Sequence, residues 1–346
     1  MLERFLFIKK NRFICYIYDS YLLFGFNIYY WSWWAFDNLY NMFFLREFKE
    51  FKITDIDYNN DVLTGQKGSS VVENFIRNDN VFAFARLGYI EKRVLAYYNL
   101  INKKVIKKGF PLELRMLICN NAGFFPGPIA SNKDLRLFCE KYIESLKYVD
   151  IFGVLYNSNE DVLIKSYASN SIIMDFKCLF FLMNNNPPYT SSLEGKRVLV
   201  VHPYANLIKQ QYEKRSDLFE DNRILPKMDL IVYEAIQSIG DSRHVENEYK
   251  SWIEALNKMC IDIDGLEFDV ALVGAGAYGL PLCAHIRKSG RTAIHQGGEL
   301  QLLFGIKGSR WDQRKNIREY YNNYWVRPGG QLKPKGFDNI EKGCYW

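Results

Sequence analysis

The spacing of apolar and polar positions changes several times along this chain, and each change predicts an element. "NVFAFARLG" (80–88) is a short run rich in Phe and Val that stops at a glycine, which predicts a strand. "YIEKRVLAYYNLI" (89–101) follows at helical spacing, with Val94, Leu95 and Tyr98 on one face. Gly88 to Glu91 therefore spans a strand-to-helix junction. "LRMLICNNAGFFPGP" predicts a helix end and a Gly/Pro loop, "NKDLRLFCEKYIESLKYVD" an amphipathic helix, and "IFGVLY" a strand. The polar stretch 50–80, with "TGQKGSS", reads as loop, and 183–196 as a turn or linker.

From 183 onward the pattern becomes a regular alternation. "KRVLVVHPYA", "MDLIVYEAIQS", "FDVALVGAG" and "RTAIHQGG" are strand-like, and helix-like segments separate them. Such alternation predicts an α/β fold: a Rossmann-like, mostly parallel sheet with helices on both faces. Ligands of such sheets bind beyond the carboxyl ends of the strands, so the chemistry is sought there.

Composition adds a second feature. The chain has 346 residues with 25 Phe, 24 Tyr and 7 Trp, and 18 of these aromatics fall in residues 1–48. Trp31, Trp33 and Trp34 lie within four positions. Residues 20–36 carry no charge, a run at the lower limit for a spanning helix and rich in side chains that prefer the interface. A packing helix, a membrane-surface helix and a span all remain open for it. The expected organisation is an aromatic-rich helical N-terminal extension over 1–65 and one α/β domain over 66–346. Seven widely spaced Cys without a CxxC point to reduced thiols and a cytoplasmic protein. A net charge of +6 suits an anionic ligand or membrane surface and does not call for nucleic acid.

Candidate chemistry gathers at the predicted strand ends. Gly274, Gly276 and Gly279 spell GxGxxG between a strand and a helix, a turn suited to an anion or to tight packing alone. An NAD fingerprint wants an acidic residue at the next strand end, where His295 and Gln296 stand, so NAD is not expected. Gly297 and Gly298 follow, then Lys307 between Gly305 and Gly308, with Arg310 and Trp311 beyond. Lys307 and Arg310 read as a diphosphate clamp or a basic surface loop, and Trp311 as a stacking or a packed ring. Tyr278 sits inside the first glycine turn. His202, at a third strand end, reads as a base, a donor or a loop cap. Arg86 and Glu91 occupy the first junction, where the carboxylate would hold a cation, act as a base or pair with a basic neighbour. Phe124 and Phe125 read as a lid or substrate wall.

These residues resemble a known family. "FAFARLGYIEKRVL" is similar to the R-x-G-D-G-E element of GT-D-type glycosyltransferases, bacterial enzymes in which one Rossmann-like domain uses a sugar nucleotide. "GKRVLVVHPYA" and "FDVALVGAGAYGLPLCAHIRKSGRTAIHQGGELQ" resemble their later strands and glycine turn. Residues 70–346, ending in "GCYW", resemble bacterial proteins associated with surface-polysaccharide genes. Carried over, Arg86, Gly88 and Glu91 match the family's element, with Glu91 on the glutamate of its Asp-x-Glu metal and nucleotide motif. Tyr89 and His295 stand where the family has aspartates. The resemblance implies a hexosyl-type glycosyltransferase of surface polysaccharide or glycan biosynthesis. It implies a nucleotide-diphosphate sugar donor and a glycan or lipid-linked acceptor. It implies Mg2+ or Mn2+ at Glu91. Glu91, His202 and His295 are the candidate catalytic residues, and residues 1–48 are expected either to pack on the domain or to dip into the headgroup region at the inner face of the membrane. Two alternatives stay open: a non-catalytic nucleotide-sugar-binding protein on the same fold, and another Rossmann-type nucleotide-dependent enzyme.

Overall fold

The computed structural model describes residues 58, 62–106, 109–157, 159–181, 186–240, 242–337, 340 and 343–346. The chain divides into units Met1–Asp55 and Ile56–Trp346. The first unit, with the aromatic-rich segment and the uncharged run, lies outside the described residues.

Seven strands, all parallel, form one sheet in the described residues: β1 (Ala83–Ala85), β2 (Ile151–Val154), β3 (Ile172–Asp175), β4 (Arg197–His202), β5 (Asp229–Glu234), β6 (Val270–Val273) and β7 (Thr292–His295). Their order is β3-β2-β1-β7-β6-β4-β5. Among the described residues eight helices of two turns or more accompany the strands: α1 (Gly65–Arg77), α2 (Tyr89–Asn102), α3 (Leu112–Ala122), α4 (Asn132–Leu146), α5 (Glu160–Tyr167), α6 (Ala205–Tyr212), α7 (Trp252–Asp264) and α8 (Gly279–Lys288).

The strands bury both faces, as a parallel sheet must. Leu199 and Val201 of β4 point into one core while Val198 and Val200 point into the other. The first core takes α2, α3, α4, α5, α7 and α8, centred on Trp252, Phe138 and Tyr142. The second takes α1, α6 and the segment after β7, with Phe304, Trp311 and Trp325. Right-handed crossovers account for this division: connections that step one way across the sheet run over one face, and those that step back run over the other.

Two elements differ from the sequence reading. Residues 65–77 form α1 rather than a loop. The small residues that read as loop are packing residues, since Gly68 lies against Cys178 so closely that a Cβ would sit 2.5 Å from its sulfur. The alternation also begins before 183, because β1, β2 and β3 belong to the same sheet. The six described cysteines are buried and form no disulfide. No helix among the described residues is long and apolar enough to cross a membrane.

Candidate functional site

The order of the strands decides where a site can form. β1 leads into α2 on one face, its neighbour β7 leads into the segment after it on the other, and β6 leads into α8 on the first. The chain therefore parts on either side of the carboxyl end of β7, opening a crevice. Four strand ends meet there: Arg86–Gly88 after β1, His295–Glu299 at β7, Gly274–Gly276 after β6, and His202 closing β4.

Arg86 is the first basic group in the crevice. Its guanidinium stacks on Phe176, 4.7 Å from the ring centroid, and abuts the backbone of Gly297. A Cβ on residue 297 would sit 2.2 Å from Arg86 Nη2, and the φ of +67° there also favours glycine. No carboxylate among the described residues forms an ion pair with Arg86, and its buried Nε has no hydrogen-bond partner. Ring stacking and backbone contact, not an ion pair among the described residues, set the place of this guanidinium.

Two carboxylates feel the Arg86 charge. Glu91, in the first turn of α2, is buried and lies over Gly88. Burial pushes its carboxyl above the usual range, while hydrogen bonds from the backbone of Glu91 and Ile90, and the Arg86 charge, pull it down. Glu299 is also raised by burial, against the charges of Arg86, Arg314 and Arg310. Arg310 is brought in by Tyr345: its Cζ lies 4.7 Å above that ring, and the ring edge rests on Gly298. Glu299, Arg314 and Tyr345 were not singled out as site residues from sequence. Glu299 directly follows the Gly297-Gly298 pair, whereas nothing local to Tyr345 announces its place.

The first glycine turn is more closely packed. Gly274 lies against the Gly297 carbonyl and the His202 ring, and Gly279 against His295, while Gly276 alone is exposed. Both histidines are buried, which lowers each imidazole to about 3 and keeps it neutral. His202 Nδ1 accepts the Tyr204 N–H at 3.0 Å, and His295 Nδ1 has no partner. The two rings pack against Gly274 and Gly279 of the turn.

Several other candidates are drawn into the cores. Tyr278 stacks on Trp252 at 4.9 Å and 7°, with its hydroxyl 3.2 Å from Ser238 Oγ. Trp311 is wholly buried and packs edge-on to Tyr345. Phe124 and Phe125 are buried too, with Phe124 against Phe138 and Trp252. These rings present no face to a ligand, because closing the cores took them. Lys307 lies over Tyr321, 4.9 Å from the centroid, with its backbone N–H on Val326. A cleft of about 530 Å³ lined by Arg77, Ser191, Arg215, Arg223 and Lys227 lies by the amino ends of β4 and β5, and no candidate residue lines it.

A cation at Glu91 would need further ligands. Among the described residues no group of three or more His, Cys, Asp or Glu could hold a metal ion. The neighbouring Tyr89 is 58% exposed, and Lys92 and Arg93 stack on its ring at 5.2 and 5.7 Å.

The model of a GT-D fold-like domain matches residues 66–303. A selenomethionine-substituted structure of domain of unknown function 1792 is 12% identical, covering 78% of this chain and 96% of its own, with a TM-score of 0.36. Another structure of that domain, described as having a distinct glycosyltransferase fold, is 12% identical over the same shares, with a TM-score of 0.33. A protein from Streptococcus sanguinis, described as a new glycosyltransferase, is 10% identical, covering 80% of this chain and 97% of its own, with a TM-score of 0.36. No curated protein matches.

Proposed function

The chain belongs to the GT-D fold-like domain family, and on that premise we propose that it is a glycosyltransferase that takes a nucleotide-diphosphate sugar. The observation that carries this reading is Arg86, stacked beside the Gly297-Gly298 turn with an unmet donor, where the strand ends meet. A diphosphate leaving group concentrates negative charge on oxygens, and fixed guanidinium and backbone donors are suited to receive it.

In the transfer, the bond between the sugar's anomeric carbon and the β-phosphate oxygen breaks, and the electron pair leaves with the nucleoside diphosphate. An acceptor hydroxyl oxygen forms the new bond to that carbon and gives up its proton. Glu91 takes the proton in this reading, since burial raises its proton affinity in the direction a general base needs. His202 and His295 shape the turn instead, because imidazoles lowered to about 3 are poor proton acceptors.

The acceptor in this reading is a glycan or lipid-linked sugar of surface-polysaccharide assembly, reached from the cytoplasmic side. Residues 1–48, with their 18 aromatics, would hold the enzyme at the lipid surface. The test is direct. Purified full-length protein is incubated with UDP-, GDP- and dTDP-sugars, and binding and slow donor hydrolysis are followed. A donor that binds and is hydrolysed, with hydrolysis lost in Glu91→Gln, supports the reading; no binding to any donor defeats it.

A further inference from the structure

The GT-D resemblance implies a divalent cation on an Asp-x-Glu pair, and the residues of this chain do not fit one. Tyr89 occupies the aspartate position and offers a ring, not a carboxylate. Two cations already crowd that ring, Lys92 and Arg93, so a divalent ion placed there would meet like charge. The Glu91 carboxylate lies against Gly88, with backbone donors and the Arg86 charge around it. One carboxylate is too small a ligand set for Mg2+ or Mn2+, which take several oxygens.

The positive charge such an ion would bring is present in another form. Arg86, Arg310 and Arg314 all act on Glu299, the residue that follows the Gly297-Gly298 turn. Arg86 lies against Gly297 and Arg310 is fixed over Tyr345, which itself rests on Gly298. The guanidinium groups of Arg86 and Arg310 thus come at one short backbone turn from two elements, the end of β1 and the segment after β7.

We propose that this chain holds the diphosphate of its donor with the guanidinium groups of Arg86 and Arg310 at the Gly297-Gly298 turn, and without a divalent cation. The proposal rests on the reading of the crevice as a sugar-nucleotide site. It takes that reading further by naming what neutralises the leaving group. Planar guanidinium forks match paired phosphate oxygens and are always charged, so they supply a fixed field that needs no metal to be loaded first.

The experiment is calorimetric titration of the full chain with UDP and with GDP, once in EDTA and once in Mn2+. The expected result is a Kd that agrees between the two buffers to about twofold. Arg310→Ala weakens binding about tenfold or more in EDTA, and Arg310→Lys, which keeps charge but loses the fork, weakens it less. Thermal melts of both variants establish that they are folded. Binding that appears only with Mn2+, or that tightens about tenfold with it, overturns the proposal while leaving the sugar-nucleotide reading intact. So does a folded Arg310→Ala that binds as the parent does. Absence of binding in both buffers defeats the sugar-nucleotide reading, and the proposal with it.

Discussion

Arg86 and Gly297 come from opposite ends of the domain and meet at van der Waals range, with the guanidinium lying where a side chain on residue 297 would have to be. Gly297→Ala therefore meets two penalties, a left-handed backbone that alanine adopts poorly and a collision with Arg86 Nη2. The expected loss is about 1–3 kcal/mol of stability, together with loss of UDP binding. Urea denaturation and calorimetry measure both, and a variant matching the parent in each would show that the contact is dispensable.

Gly279→Ala separates packing from helix propensity. At an open helical position this change gains up to about 1 kcal/mol. Here the new Cβ would lie 2.2 Å from His295 Nε2, and that ring is buried. Overpacking of a closed site costs about 1–3 kcal/mol, so the net sign is expected to be destabilising. A higher melting temperature for Gly279→Ala would mean that His295 can move aside.

Stability should fall on mild acidification because of the two buried histidines. Their imidazoles stand at about 3 in the folded chain against an ordinary 6.5. Between those values the unfolded chain binds more protons, so stability rises with pH. Their contribution is whole above pH 6.5 and drains away as pH drops toward 3, at about 2 kcal/mol for each histidine by pH 5. Glu91 and Glu299 act with opposite sign, since burial raises both and protonation relieves their cost. Comparing the parent with His202→Asn isolates the histidine part through chemical denaturation at pH 7.5 and pH 5. The variant should lose less on acidification, and an unchanged pH dependence would contradict the assignment.

The role proposed for the N-terminal segment is open to a flotation assay. The full chain should float with anionic liposomes and a form lacking residues 1–48 should remain at the bottom, each at physiological salt. Equal flotation of both would place the lipid contact elsewhere.

Much of this arrangement was legible before the structure because the inner strands are written as apolar runs. "VLVV" in β4 and "VALV" in β6 are buried on both faces and leave little choice but a parallel sheet. β3 gave no such signal, because it is a short edge strand whose Ile172 faces solvent. α1 was hidden by Gly68 and Ser69, whose small size serves packing. The glycines, Arg86 and Arg310 were visible as candidates, and the structure gathers Arg86, Gly297, Gly298 and Arg310. Whether an aromatic faces a ligand or a core was not visible. Trp311, Tyr278 and Phe124 look the same in sequence as stacking residues would, and only the closing of the two cores assigns them.

The pairing of β1 with β7 reaches beyond the site. Phe84 aligns with Ile294 in the sheet, although most of the domain lies between them in the chain. A cut in any loop between these strands would leave Arg86 on one piece and Gly297 on the other. Neither half could hold a ligand by itself, but the two together could rebuild the crevice by pairing their strands. Nucleotide binding would then report that the halves have found each other, making the domain a natural starting point for a split-protein sensor.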